Sequence, residues 1–312
     1  MSCNLRKLNI YAFSLLSLFT AACHRSTPHK AAIEPSEPLS FKSIAGIDFT
    51  EVRRRMANGL SFDKNGFEAE PGYQITFLKN DSASVWSPDK KAFINFLVFL
   101  EPDSIFNVAR SYFKMKHMSK DSLVLQVLEV QGDTLHTKHS LVYMTFYSNN
   151  YLKNVLHTDA QTLGKPDRRD TLFIEHKTAI AEKNPDSAFA GRQSVSLKSL
   201  NPLLTIDRVN VKPDISNNYD ASDYYMDPEF NITVNKAYEN FSYSFWVCVN
   251  ANGQITFYRS IDYIMPEFRE STIKTIKAII DGYLKAYMAA TPGSTLGIKH
   301  TSWVILNVVG RK

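Results

Sequence analysis

The sequence predicts an α+β protein: a β-rich antiparallel sheet or small barrel, followed by a module with the order hairpin, helix, strand. The first observation is that residues 46–157 carry aromatic and β-branched runs separated by turn signals at a spacing of roughly ten residues. The second is that residues 241–309 carry two strand-like runs, an amphipathic helical pattern and a last strand-like run. The fold therefore has to be built mainly from antiparallel strands.

Within residues 46–157, Gln74–Leu78 alternates apolar and polar side chains after a Pro71-Gly72 turn, which is typical of a strand with one buried face. Phe93–Phe99 is apolar at nearly every position, and this favours a central strand buried on both faces. Its aromatic side chains, together with those of the strand around Phe146, are predicted to be core. Further strands are predicted at Tyr112–Met118, Leu123–Val130 and Leu141–Tyr147.

Residues 118–130 (MSKDSLVLQVLEV) and 141–147 (LVYMTFY) resemble the later strands of the lipocalin-like domains of exported Bacteroidetes proteins. This resemblance implies a barrel, and a barrel can hold a small apolar ligand. Residues 158–205 contain two polar breaks and are predicted to be a connector, in which Thr171–Ala181 forms a strand or a short helix. Residues 206–312 form the second predicted domain.

In the second domain, Phe245–Asn250 and Gln254–Ile261 are predicted strands joined by a turn at Asn252-Gly253. Pro266 suits the first turn of a helix, and Ser302–Val309 is a predicted last strand. The apolar side of the helix is expected to comprise Phe268, Ile276, Ile279, Ile280, Tyr283, Leu284 and Tyr287.

This order resembles the C-terminal domain of TonB and TolA proteins. The pattern V-x-V-N-x-x-G-x-I in the hairpin carries the resemblance, with a small-residue turn at 289–293 and a closing strand at 304–308. The Tyr-Pro pair that usually precedes the hairpin is missing, and the sequence has no spanning helix with a long Pro-rich spacer, so an energy-transducing role is rejected. The resemblance implies an open sheet edge that captures an extended segment of a partner.

The start of the chain resembles a bacterial lipoprotein signal peptide. Arg6 and Lys7 precede an apolar stretch, and Thr20-Ala21-Ala22-Cys23 resembles the cleavage box, with Thr20 where leucine is usual. The 15 residues from Leu8 to Ala22 reach about 22 Å as a helix, short of the roughly 30 Å of bilayer hydrocarbon. Residues 1–22 are therefore predicted to be removed and Cys23 to be acylated; the alternative is an ordinary secretory peptide that leaves Cys23 as a free thiol.

Residues 23–45 are polar and contain several prolines, so they are predicted to be a flexible tether between the lipid and the folded part. An acylated Cys23 places the protein in the cell envelope. His24 and Arg25 lack the acidic signature of surface export in this group, so we expect the outer membrane and its periplasmic face.

Charge and cysteine usage exclude two classes of protein. Without Arg6 and Lys7 the 36 basic side chains fall to 34 against 31 acidic ones, and a net charge of +3 gives no support for nucleic-acid binding. Cys3 lies in the signal and Cys23 is the anchor, so Cys248 cannot form an internal disulfide. Its strand-like surroundings favour a small buried hydrophobic residue over a reactive thiol.

Asp-(Ser/Thr) before an apolar residue occurs repeatedly and resembles the O-glycosylation site of exported Bacteroidetes proteins. The alternative is ordinary turn and cap chemistry, which produces the same tripeptide. The candidate hydroxyl groups are those of Ser82, Ser104, Ser122, Thr134, Thr171 and Ser187.

No catalytic signature is present, and no cofactor, metal or catalytic residue is predicted. His136 and His139 are spaced so that a strand would point them to opposite faces. The run Asp214, Asp220, Asp223 and Asp227 lacks the spacing of a calcium loop and is interpreted as a polar loop.

Three functions remain from the sequence. The preferred one is a non-catalytic, lipid-anchored envelope protein that binds an envelope protein or peptide through its C-terminal domain. The alternative is a carrier of a small apolar ligand in the β-rich domain. The third is an envelope enzyme with an unrecognised site, which predicts polar side chains with shifted pKa values in one cleft.

Overall fold

A computed structural model describes residues 38–132, 134–136, 142–210 and 222–312. The predicted signal peptide and Cys23 lie outside these residues, as does the tether as far as residue 37. Pro38–Lys312 form one compact unit. No helix in the described ranges is long and apolar enough to cross a membrane.

The first sheet is antiparallel throughout and nearly closes on itself. Its hydrogen-bonded order is β4-β3-β2-β1-β10-β8-β7-β6-β5, with β9 paired to β8. The strands are β1 (Asp48–Met56), β2 (Gln74–Phe77), β3 (Ser82–Ser87), β4 (Ala92–Leu97), β5 (Phe99–Glu101), β6 (Ile105–Val108), β7 (Ser111–Met118), β8 (Ser122–Gln131), β9 (Thr134–His136) and β10 (Val142–Ser148). The prediction of a β-rich antiparallel sheet or small barrel in an α+β protein is confirmed.

Closure depends on two local features. β4 and β5 are the two ends of the sheet, yet only Val98 separates them in sequence. The N–H of Val98 donates to the carbonyl of Asp81 at 2.9 Å, outside the strand ladders. The pairing register also shifts between Glu51 and Arg53 in β1 and between Met115 and His117 in β7, and such bulges bend a sheet.

The interior of this sheet is filled by side chains from alternate strand positions. Phe49, Phe77, Phe106 and Phe146 are almost completely buried. Phe41, just before a short 3-10 helix (Lys42–Ile44), stacks on Phe77 with the ring centroids 3.9 Å apart. Aromatic packing of this kind stabilises a core beyond its buried area.

The prediction that Phe93–Phe99 forms a central strand is wrong. β4 is the end strand of the sheet, and Phe93, Leu97 and Phe99 are 51%, 64% and 57% exposed. A strand that is apolar on both faces has the same sequence pattern whether its second face is covered or not, so pairing order alone distinguishes the two cases. Among the predicted core aromatics, Phe146 is buried and Phe96 packs against the core.

The segment between the sheets, predicted to be a connector, is folded. It contains α1 (Asn149–Asn154), α2 (Ala160–Gly164), α3 (Arg168–Ala181), a 3-10 helix (Pro185–Ser187) and β11 (Ser196–Ser199). Thr171–Ala181 is therefore helical. Ile174 of α3 is buried against Phe62 and Phe189. The boundaries at residues 157 and 205 stay a prediction.

A buried ion pair joins α3 to β1. Asp167 and Asp170 form a capping box at the helix start, and the fully buried Asp170 also accepts hydrogen bonds from the Arg55 guanidinium and from the Ser61 N–H (2.7 Å). Arg55 also contacts Asp167 at 3.2 Å. Asp170 thus serves helix capping and charge pairing at once.

The second sheet has five strands in the order β12-β13-β19-β14-β15; β13 and β19 are parallel and the other pairs antiparallel. Its strands are β12 (Leu204–Arg208), β13 (Glu229–Asn235), β14 (Phe241–Val249), β15 (Ile255–Ser260) and β19 (Ser302–Arg311). The short helix α4 (Asp223–Met226) precedes β13. Between β15 and β19 lie a 3-10 helix (Pro266–Phe268), α5 (Arg269–Ile279), a π-helical turn (Ile280–Leu284), α6 (Lys285–Tyr287), β16 (Met288–Thr291), β17 (Ser294–Thr295) and β18 (Ile298–Lys299).

The helical segment covers one face of this sheet. Ile276, Ile279, Ile280 and Leu284 are buried against the apolar faces of β13, β14 and β19. Phe268, predicted on the same face, is instead 58% exposed, because it ends a separate 3-10 turn before α5 begins. The predicted turn at 289–293 contains Ala289–Thr291 of β16, which pairs with β11.

Replacing Asp170 by Asn is expected to destabilise the fold strongly. The substitution removes the buried one of the two carboxylates that contact the Arg55 guanidinium and leaves the half-exposed Asp167 as the remaining one, and breaking a buried pair costs about 3–5 kcal/mol. Urea unfolding measures this change. Glu175→Gln is the matched control, since Glu175 is exposed on the same helix. Equal midpoints for the two variants would show that the buried pair contributes little.

Candidate functional site

The outer edge of β15 is unpaired among the described strands. β15 bonds to β14 on one side, from the Asn250 N–H to the Gln254 carbonyl (3.1 Å) up to the Ile261 N–H and the Ser244 carbonyl (2.9 Å). An edge strand directs alternate N–H and C=O groups away from the sheet. β15 therefore presents backbone groups to which another strand can bond.

The hairpin turn determines where this edge begins. The Asn250 side chain accepts hydrogen bonds from the N–H groups of Asn252 (3.0 Å) and Gln254 (2.9 Å). Gly253 has φ +78°, and a Cβ there would collide with the Ala290 carbonyl oxygen. Only glycine both adopts this positive φ readily and leaves room for the Ala290 carbonyl oxygen. The predicted Asn-Gly turn therefore fixes the register of β14 and β15.

Two surface grooves, of about 620 and 260 Å³, lie along α5 and share Lys277. Residues 255–257 of β15 line the smaller groove, and residues 266–277 line the larger one. Ile273 lines the larger groove, and Phe257 and Ile280 line the smaller one. We call the two grooves together the edge trough. Side chains of a strand added to β15 would have an apolar surface on which to pack.

The rim of the edge trough is mainly basic. Arg269, Lys274, Lys277 and Lys285 line it, with Glu270 and Asp281. Asp281 is paired with Lys285 at 2.7 Å, and the Lys277 ammonium lies 6.0 Å from the centre of the Phe257 ring. The exposed positive charge favours a partner that carries carboxylates.

Exposed apolar side chains follow β15 directly and continue to the start of α5. Tyr263 is 88% exposed and Met265 55%, and Ile261 and Phe268 are also exposed. Sequence analysis missed this surface because it assigned Phe268 to the buried face. The available signal was the run Tyr263-Ile264-Met265, three large apolar residues between the predicted strand and the predicted helix.

A polar cleft of about 340 Å³ meets part of the enzyme hypothesis. It is lined by Glu51, Glu68 and Glu70 together with residues of α2. Glu51 is buried and accepts hydrogen bonds from the Arg54 guanidinium (2.8 and 2.6 Å) and from the N–H groups of Gly72 and Tyr73 (both 2.9 Å). The Glu51 carboxylate therefore binds Arg54 and holds the Gly72–Tyr73 segment against β1.

The other two carboxylates of the cleft share one guanidinium. Arg192 donates to Glu68 (3.1 Å) and to Glu70 (2.6 Å), and its guanidinium lies 4.7 Å from the centre of the Tyr225 ring. Burial and the neighbouring Glu70 raise the pKa of Glu68, while Arg192 opposes the shift. Thr50 and Lys165 also line this cleft, and the Thr50 hydroxyl donates to the Asn149 side chain at 2.8 Å.

A buried histidine lies close to a serine but has no access to solvent. His300 and Ser302 are 0% and 1% exposed. Nδ1 of His300 lies 3.2 Å from the Thr301 carbonyl, which can only accept, so Nδ1 carries the proton; Nε2 then accepts from the Thr295 hydroxyl at 3.1 Å. The ring stacks on Phe189 with centroids 3.7 Å apart, and burial lowers the pKa of His300 to about 4. The imidazole is a neutral core group.

The interior of the first sheet, where the carrier hypothesis places a ligand, is occupied by protein. Phe106 lies against Phe77 (5.9 Å) and Phe113 (5.5 Å), and Tyr73 packs against Phe113 and Phe146 (both 6.3 Å between centroids). Burial raises the pKa of Tyr73 to about 12. This packing gives the carrier alternative no support.

Three of the six candidate glycosylation residues, Ser82, Ser122 and Thr134, begin strands, and the others lie in a turn or in helices. Ser82 is buried and its hydroxyl donates to Asn80 at 2.6 Å, whereas Thr134 is exposed. Ser122 bonds with Ser119, and Thr171 donates to the Asp167 carbonyl at 3.3 Å. Ser104 (φ 61°) lies in the β5–β6 turn and Ser187 in the 3-10 helix. Glycosylation stays a prediction, as does acylation of Cys23.

The remaining sequence candidates carry no chemistry of their own. Cys248 is buried, as expected, and burial raises its pKa to about 11. His139, Asp214 and Asp220 lie outside the described residues. Within the described ranges, no group of three His, Cys, Asp or Glu side chains is placed to hold a metal ion.

No protein-family model matches this chain, and none of the curated protein sequences matches it. Its own geometry is therefore the basis for a functional assignment, and the edge trough is the described surface best suited to binding another chain.

Stability is expected to fall between pH 6.5 and pH 4 because of His300. Its pKa is about 4 in the folded protein and about 6.5 when unfolded, so in this range only the unfolded chain binds the proton. The contribution of His300 is complete above pH 6.5, and up to about 3 kcal/mol is lost by pH 4. Urea unfolding at several pH values measures the slope. His300→Gln should flatten it; the exposed His176→Gln should not. Identical slopes in all three proteins would contradict this assignment.

Proposed function

We propose that this chain is a non-catalytic, lipid-anchored protein of the cell envelope that captures an extended segment of another envelope protein or peptide by strand addition to β15. The observation that carries the proposal is the unpaired edge of β15 beside the edge trough. An incoming strand would continue the backbone ladder, which supplies affinity, while alternate side chains enter the trough, which supplies specificity.

The resemblance of the hairpin, helix and last strand to the C-terminal domain of TonB and TolA proteins supports the same mode of binding. We assign to residues 206–312 a domain of this kind, with the finer ββαβ arrangement as part of the proposal. The partner segment should have apolar residues at alternate positions, to meet Phe257 and Ile273. Acidic residues beside them would face the lysines of the rim.

Acylation of Cys23 is the basis of the proposed location, at the periplasmic face of the outer membrane. Cells fed an alkyne-bearing fatty acid should label the wild-type protein, because lipoprotein acylation transfers acyl chains to the cysteine. Cys23→Ser should remove the label and release the protein from washed membranes. A wild-type protein that is processed to its mature size without label would contradict the anchor and leave an ordinary secretory signal.

Capture at β15 is tested by photo-crosslinking in native membranes. A photoreactive residue at Thr256, exposed on β15, should crosslink to a short extended segment of one envelope protein, while the same residue at Thr205, exposed on β12 at the other end of the sheet, should not. Sequencing the crosslinked peptide gives the partner. Equal products at both positions would contradict the assignment to β15.

The trough is tested separately with the peptide so identified. Ile273→Glu puts a carboxylate in the apolar groove and offsets part of the positive charge of its rim, so it is expected to weaken binding at least about tenfold. Leu172→Glu is the matched control, since Leu172 is 52% exposed on α3. Thermal unfolding of both variants checks that the fold is intact. Unchanged affinity in a folded Ile273→Glu protein would remove the trough from the site.

A further inference from the structure

A second exposed apolar surface lies where the first sheet closes. The exposed apolar side chains at this point are Phe93, Leu97 and Phe99, and Leu100 on the opposite face of β5, each between 46% and 64% exposed. They belong to β4 and β5, the two end strands, and the Trp86 ring packs edge-on against Phe93 at 5.2 Å. We call this set the closure patch. It is separate from the edge trough, which belongs to the second sheet.

The beginning of the described chain lies beside the closure patch. Leu39 and Lys42 line a groove of about 230 Å³ together with Lys79, Val98 and Leu100. The chain therefore enters the folded part next to Leu100. Fourteen residues separate Cys23 from Pro38, and a chain of that length can span at most about 50 Å.

From this placement we propose that the closure patch rests on the lipid bilayer to which the protein is anchored. The inference rests on the proposed acylation of Cys23, because the anchor holds the entry point of the chain within that distance of the membrane surface. Leucine and aromatic side chains insert at the boundary between headgroups and acyl chains. Lys42 and Lys79, both exposed in the adjoining groove, extend to the headgroups, whereas Asp81 in the same groove limits the attraction to anionic lipid.

A bilayer also accounts for the chemistry of the end strands. A large exposed apolar patch on a soluble protein marks a surface that is covered by something else. Phe93 and Leu97 lie on the outward face of β4 with Asn95 between them, and Phe99 and Leu100 are exposed on the two faces of β5, so several separate apolar side chains are exposed and not a single anchor residue for a pocket. A bilayer surface requires no fixed spacing between apolar side chains, so it can contact the side chains of the closure patch in their present positions.

The test uses residues 24–312, which contain the whole compact unit and lack the acyl chains, so that the affinity of the patch is measured without the anchor. With Trp246 and Trp303 changed to Phe, Trp86 is the remaining tryptophan of the chain. We expect its emission to shift to shorter wavelength with phosphatidylcholine vesicles and to be quenched by brominated lipid. Adding phosphatidylglycerol should strengthen binding if the lysines reach the headgroups.

Leu97→Ser with Phe99→Ser should weaken vesicle binding about tenfold, because it removes two of the inserted side chains. The control is Tyr263→Ser with Phe268→Ser, which alters the other exposed apolar surface and should leave vesicle binding unchanged. Binding that fails in the parent protein, or falls equally in both pairs, would overturn the proposal. So would a lipid-free dimer that the Leu97/Phe99 pair abolishes, which would show that a second copy covers the patch.

Failure of this inference and failure of the proposed function are distinguishable. Fatty-acid labelling at Cys23 reports the anchor, and crosslinking at Thr256 reports the edge of β15, whereas Trp86 quenching reports the closure patch alone. A protein that is labelled and crosslinks its partner, but shows no quenching, would retain the function and lose the bilayer contact.

Discussion

The unpaired backbone at the edge of a β-sheet is the constraint that organises this protein. Every open sheet ends in N–H and C=O groups that must be bonded, covered or left to a partner. The first sheet brings its two end strands together at Val98, so that consecutive residues of the chain serve both ends. The second sheet leaves β15 unpaired among the described strands and places a trough beside it. The first sheet thus has little free edge, whereas the second sheet has a free edge at β15.

Buried polar groups connect distant segments of the described chain. Asp170 and Arg55 join α3 to the first sheet, and His300 packs beside Phe189, which follows α3. The carboxylates of the polar cleft are bonded to Arg54, Arg192 and backbone N–H groups. Moving any of these polar side chains would cost free energy, because it would leave a buried partner without its hydrogen bonds. Their arrangement is typical of structural ties.

The sequence was sufficient where the determining interaction is local. The Asn250–Gly253 turn and the helix after Pro266 follow from turn chemistry and helical periodicity, and both lie where they were predicted. Sequence reasoning failed where pairing between distant segments decides. Whether Phe93 is covered depends on the order of nine strands, and the burial of Asp170 depends on Arg55, 115 residues away. Neither a continuous apolar run nor a capping Asp indicates in the sequence which distant residues it will contact.

The two exposed surfaces differ in what they can discriminate. Strand addition at β15 requires backbone bonds in register, and a one-residue slip would turn the partner's apolar side chains away from Phe257 and Ile273. Such a surface selects a sequence. The closure patch offers only apolar area around Leu97 and Phe99, which any sufficiently apolar boundary satisfies. A protein that must stay at one membrane and choose one partner needs a non-selective contact for the first task and a selective one for the second, and the two proposed contacts would divide these tasks between the two sheets.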